Sequence, residues 1–170
     1  MMSSGTLSRR PLPITAWGFT GFEPGAEGRG SSFRRILLAV TASESSSRAA
    51  SVVAGMARDQ ASDVLVIHIR ERVLLGRGGY LDLETTDEAN RVLVDARRAL
   101  EARGVSAETC TDTSPMQFTA RQIVEAGVAW GAQLIVIGDA RGKSTLWASL
   151  RGSVSHDILH RSKVPVLVVP

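Results

Sequence analysis

Four stretches of the chain are apolar at nearly every position: ILLAV (36–40), DVLVIHI (63–69), QLIVIG (133–138) and VPVLVV (164–169). A strand with one wet face alternates apolar and polar residues. A strand that is apolar throughout has to be covered on both sides. Amphipathic segments with helical spacing separate these runs, and alternation of buried strand with helix is the mark of a parallel α/β sheet layered by helices on both faces. The crossovers of such a sheet are right-handed. The expected fold class is therefore α/β: an open, Rossmann-like sheet of five parallel strands at 34–41, 63–69, 106–112, 133–138 and 164–169.

The connecting segments carry their own signals. Residues 44–59 place Ala49, Val52, Val53 and Met56 on one helical stripe. Residues 85–104 do the same with Ala89, Val92, Leu93, Ala96 and Leu100, opened by a Thr85/Glu88 capping box and closed by Gly104. Ser114 and Pro115 open a third helix bearing Ile123 and Val124, and Gly131 stops it. A short helix over 152–162 has Val154, Ile158 and Leu159 as its buried stripe. RERVLLGRGGYLDL (70–83) reads as a loop, with GRGGY a flexible flap at the crevice mouth.

A chain of 170 residues suits one domain with a small appendage. We divide it into a flexible N-terminal extension, 1–33, and a domain, 34–170. With 44% hydrophobic but only 5% aromatic residues, the core is aliphatic. A net charge of +3 on scattered arginines is no footprint for nucleic acid. No apolar run approaches the ~20 residues of a membrane helix. SRRPLPITAW (8–17) has the arginine pair of an export signal, but prolines and glycines break the apolar segment such a signal requires. The lone Cys110 excludes an internal disulfide. A cytoplasmic protein is expected.

GDARGKST (138–145) invites a phosphate-loop reading, G-x-x-x-x-G-K-[ST]. Its first glycine is one residue too late, and only one strand follows to supply a magnesium carboxylate. A better anion site runs further on. Gly142 is followed by nine residues, then Gly152 and Ser153. Glycine lets a ligand approach the backbone, and Ser153 stands at a helix N-cap whose free N–H groups attract anions. Such sheets bind ligands beyond the carboxyl ends of their strands, where the strand order reverses. Val40, Thr41, His68, Ile69 and Gly138 share that rim.

His156 and His160 stand one turn apart, as in zinc-binding H-E-x-x-H helices, but Asp157 replaces the glutamate and no third ligand follows. No metal site is expected. His68 reads as a rim or core histidine with no acidic partner nearby in sequence, and Cys110 as a half-buried structural residue.

The strands ILLAV and LIVIG, the spacing Gly142-x9-Gly152-Ser153, the helix SVSHDILHRS and the terminal VPVLVV together resemble the universal stress proteins, over residues 34–170. The resemblance implies the strand order 3-2-1-4-5, with the first strand central. It also implies a homodimer through residues 164–169 and, as in a subset of the family, an ATP or AMP site. Gly138, Gly142, Gly152, Ser153, Val154 and Ser155 would cradle the phosphates and line the wall, with Val40, Ile69 and Ile137 flanking the adenosine and Thr41 ending the first strand. Two positions depart from the family pattern. Thr41 replaces its usual aspartate, and Gly138-x-x-x-Gly142 is one residue longer than G-x-x-G. The function implied is a binding and regulatory module of stress response without catalysis. A nucleotide-free dimeric scaffold for a regulatory protein partner is the alternative. A nucleotide-hydrolysing enzyme of the related superfamily would need a glycine-bearing S-G-G-x-D-S loop where this chain has TASESSS (41–47).

Overall fold

A computed structural model describes residues 33–76, 78–139 and 154–170. The elements are β1 (Arg35–Ala39), α1 (Glu44–Gln60), β2 (Asp63–Leu74), β3 (Tyr80–Asp82), α2 (Thr86–Glu101), β4 (Ala107–Pro115), α3 (Thr119–Trp130), β5 (Leu134–Gly138), α4 (Val154–Arg161) and β6 (Val166–Val169). The parallel strands stand in the order β4-β2-β1-β5-β6. Counted among themselves, that is the expected 3-2-1-4-5 with the first strand central.

Alternate residues of each central strand go to opposite faces. Ile36 and Leu38 of β1, Val64 and Val66 of β2, and Val136 of β5 pack with Ala49 and Val53 of α1 and Leu93 and Leu100 of α2. Leu37, Leu65, Ile67, Ile135 and Ile137 pack on the other face with Ile123, Ala126 and Trp130 of α3 and Ile158 of α4. Both faces are dry, which is why these strands carry no polar alternation.

The sequence expectation needs four corrections. Residues 70–83 are no loop. β2 runs on to Leu74, the chain turns at Gly78 with φ 83°, and β3 returns antiparallel, pairing Arg72 with Asp82 and Leu74 with Tyr80. Of GRGGY, the described Gly78 and Gly79 belong to a hairpin turn and Tyr80 to β3, and the Leu75 N–H donates to the Gly79 carbonyl to close the turn. The hairpin adds a sixth, antiparallel strand, so the sheet is mixed.

Second, Ser114 and Pro115 end a strand rather than open a helix. β4 follows the lengthened β2 as far as the Arg72–Pro115 pair, and α3 starts at Thr119 after one 3-10 turn. Third, Val52 of α1 and Leu159 of α4 are exposed, and small residues, Ala50 and Ser155, take the inward positions instead. Last, β1 ends at Ala39 and β6 begins at Val166, each shorter than its apolar run.

The capping box of α2 is formed. Thr85 accepts from the Glu88 N–H at 3.2 Å, and the Glu88 carboxylate accepts from the Thr85 N–H at 2.8 Å. The carboxylate accepts from the Thr85 hydroxyl as well, at 2.8 Å, and its two bonds from Thr85, the backbone one first and the hydroxyl one second, hold the Glu88 carboxyl below its ordinary pKa. Gly131 caps α3 in the left-handed conformation at φ 75°.

Candidate functional site

β1 leads into α1 on one face of the sheet, and its neighbour β5 leads towards α4 on the other. Chains that leave adjacent strands in opposite directions open a crevice between them. A cavity of about 440 Å³ lies there. Of the residues selected from sequence, Val40, Thr41, Ile69, Ile137, Gly138, Val154 and Ser155 line it. Gly142, Gly152 and Ser153 lie outside the described residues.

The β1–α1 corner is a net of hydroxyls. Ser43 caps α1 by accepting the Ser46 N–H at 3.2 Å. The Ser46 hydroxyl accepts the Thr41 N–H at 3.0 Å, and Thr41 Oγ1 donates to Ser43 Oγ at 3.1 Å. Ser45 and Ser46 are each only 5% exposed. Thr41 thus engages both its N–H and its hydroxyl inside the corner.

Gly138 presses on the same corner. A Cβ there would lie 2.6 Å from the Ser46 nitrogen and 2.7 Å from the Ser45 carbonyl carbon. No real Cβ sits so close to backbone. The glycine is required for β5 to pass the first turn of α1, whatever the crevice holds.

Two polar pairs were not found from sequence. His68 is 4% exposed, with Nδ1 at 2.8 Å from the Val40 carbonyl and Nε2 at 2.7 Å from Glu84 Oε1. A carbonyl only accepts, so Nδ1 donates. Nε2 and Glu84 then share a further proton between them. The acidic partner that His68 lacks nearby in sequence arrives sixteen residues later, carried back by the hairpin. The signal was the Gly78-Gly79 pair between VLL and YLDL, a hairpin turn flanked by apolar residues. On the opposite face, Thr119 Oγ1 donates to Glu71 Oε1 at 2.7 Å. Only the fold brings the end of β2 to the start of α3, so no local pattern marks that pair.

His156 and His160 are exposed, their ring centroids 4.2 Å apart. Among the described residues no three metal-ligating side chains gather. Cys110 is half-buried in β4, and burial, followed by the Asp112 charge, pushes its thiol pKa up, away from a reactive thiolate. Among the described residues no helix is long and apolar enough to cross a membrane.

Comparison with known proteins agrees with this architecture. The universal stress protein YxiE of Bacillus subtilis (strain 168) is 26% identical over 150 residues, covering 81% of this chain and 99% of YxiE. A universal stress protein solved in complex with cAMP superposes with a TM-score of 0.62 at 22% identity, over 82% of this chain and 98% of that one. The universal stress protein from Archaeoglobus fulgidus in complex with dAMP gives 0.59 at 21% identity, over 81% and 98%. The model of the universal stress protein family matches residues 32–170, and the chain belongs to that family.

Proposed function

We propose that this protein is a cytoplasmic, non-catalytic binding module of stress response that holds an adenine nucleotide, ATP or AMP, in the crevice between β1 and β5. The observation that supports this most is the meeting of Val40, Thr41, Ile69, Ile137, Gly138, Val154 and Ser155 around one switch-point cavity. Relatives of the same fold are described with cAMP and with dAMP. In this reading Ile69 and Ile137 flank the adenosine. The start of α4, with Gly142, Gly152 and Ser153 before it, receives the phosphates through its N–H groups and positive dipole end.

Among the described residues the crevice pairs no hydroxyl with a histidine or lysine base. His68, its one histidine among the described residues, has both ring nitrogens engaged and no lone pair free to take a proton. ATP turnover at about 1 per second or faster, lost on Ser153→Ala, would overturn the non-catalytic reading. Calorimetry tests binding itself: ATP should bind the wild type, and Gly152→Val should abolish binding by filling the approach path. Equal affinity in the two proteins places any ligand elsewhere. The self-satisfied hydroxyls of Thr41, Ser43 and Ser46 favour the second reading, a nucleotide-free scaffold for a protein partner. Under that reading neither protein binds ATP.

We extend the proposal to a homodimer through residues 164–169. β6 pairs with β5 alone among the described strands, and Val166, Leu167 and Val168 are only half-buried. An apolar edge of this kind invites a partner strand, and two copies close on each other about a two-fold axis. Light scattering should give twice the 18.1 kDa chain mass. Val168→Lys should shift the protein towards monomer.

A further inference from the structure

We infer that Glu71 selects the base of the bound nucleotide: its carboxylate, oriented by Thr119, accepts a hydrogen bond from a ring that bears an amino group. This rests on the nucleotide-binding reading above and adds a specificity determinant to it.

The crevice is not chemically uniform. On the α3/α4 side its floor is Ile67, Ile69, Ile123, Ile137 and Ile158, an aliphatic surface suited to a flat heterocycle. Orientation in an apolar pocket comes from the few polar groups that border it. Glu71 borders this floor. It follows Ile67 and Ile69 at every second position of β2, so it shares their face of the sheet.

Thr119 fixes the carboxylate. It is 6% exposed, is the first residue of α3, and donates to Oε1 at 2.7 Å. The electropositive start of that helix is a favourable neighbour for a carboxylate. Oε2 has no hydrogen-bond partner among the described residues, although Glu71 lines the cavity. An ionised carboxylate only accepts. A 6-amino group presented there completes it, whereas the exocyclic oxygen of a 6-oxo-purine in the same place sets acceptor against acceptor and leaves both unpaired. Amino-purines are thereby selected over oxo-purines. The other carboxylate at the crevice, Glu84, is already matched by His68.

Calorimetric titration of the full chain with ATP and with purine riboside triphosphate, which differs from ATP only in lacking the amine, tests this. ATP should bind the wild type about ten- to a hundredfold more tightly, the effect of one hydrogen bond to a charged group. Glu71→Leu, which keeps the bulk and removes the acceptor, should bring the two affinities within about twofold. Glu71→Gln, a neutral acceptor, should give an intermediate ratio. Thr119→Val should reduce the ratio by loosening the carboxylate. Equal binding of the two triphosphates by the wild type would overturn this inference and leave nucleotide binding standing, as would a ratio that survives Glu71→Leu. A wild type that binds neither triphosphate overturns both.

Discussion

Along β2 the backbone is continuous from Asp63 to Leu74, yet its two halves are held by different forces. From Val64 to Ile69 every side chain is buried, and apolar contact from both faces fixes the strand. From Arg70 onward burial falls away, and polar pairs take over. Arg70 and Arg72 reach Asp82 at 3.5 and 3.2 Å, Arg72 lies 5.3 Å from the Tyr80 ring centre, and Glu71 takes the Thr119 hydroxyl. At the junction stands His68, buried like the first half and hydrogen-bonded to a carboxylate side chain, Glu84, as the second half is held by polar pairs. Non-directional packing builds the sheet, and directional pairs then place the carboxylates at the crevice.

The contrast is breakable by mutation. Leu65→Ala, in the fully buried half, should cost about 2–5 kcal/mol of unfolding free energy and lower the denaturant midpoint of the whole domain. Glu84→Ala should cost about 1.5–3 kcal/mol, because it strips a buried histidine of its charged partner. Hydrogen exchange should show that loss first in the hairpin amides, with the β1–β5 ladder still protected. Equal loss of protection in both regions would mean that the two halves form one cooperative unit. Arg72→Ala removes a half-exposed pair and should cost under about 1 kcal/mol, so a midpoint shift as large as that of Leu65→Ala would erase the distinction.

The same division explains what the sequence disclosed. Unbroken apolar runs located β1, β2, β5 and β6, because burial on both faces leaves a mark at every residue. Thr85/Glu88 and Gly131 marked helix ends because capping is local chemistry. Val40, Thr41 and Gly138 followed from their places at strand ends, Ile69 from the expected end of β2, and Ile137 from the family resemblance. The hairpin was missed because RERV and YLDL carry charges that read as loop until the cross-strand Arg72–Asp82 pair is seen. Glu84 and Glu71 were missed for a deeper reason. Their partners lie sixteen and forty-eight residues away, and nothing local distinguishes a carboxylate that meets a partner from one that meets water. Val52 and Leu159 fitted an apolar stripe by spacing, but spacing does not say how closely a helix lies on its sheet.

The contact of Gly138 with the first turn of α1 has a mechanical meaning. Elsewhere in the core, helix meets strand through side chains, which absorb small movements by changing rotamer. Here backbone meets backbone, and nothing in between can yield. The next residue, Asp139, donates its N–H to the Val169 carbonyl, and Arg48 on α1 donates to the Pro170 carbonyl. Any displacement of the hydroxyl corner is thus shared by β5 and the sheet edge beyond it. The corner behaves as a stiff strut between the crevice mouth and β6.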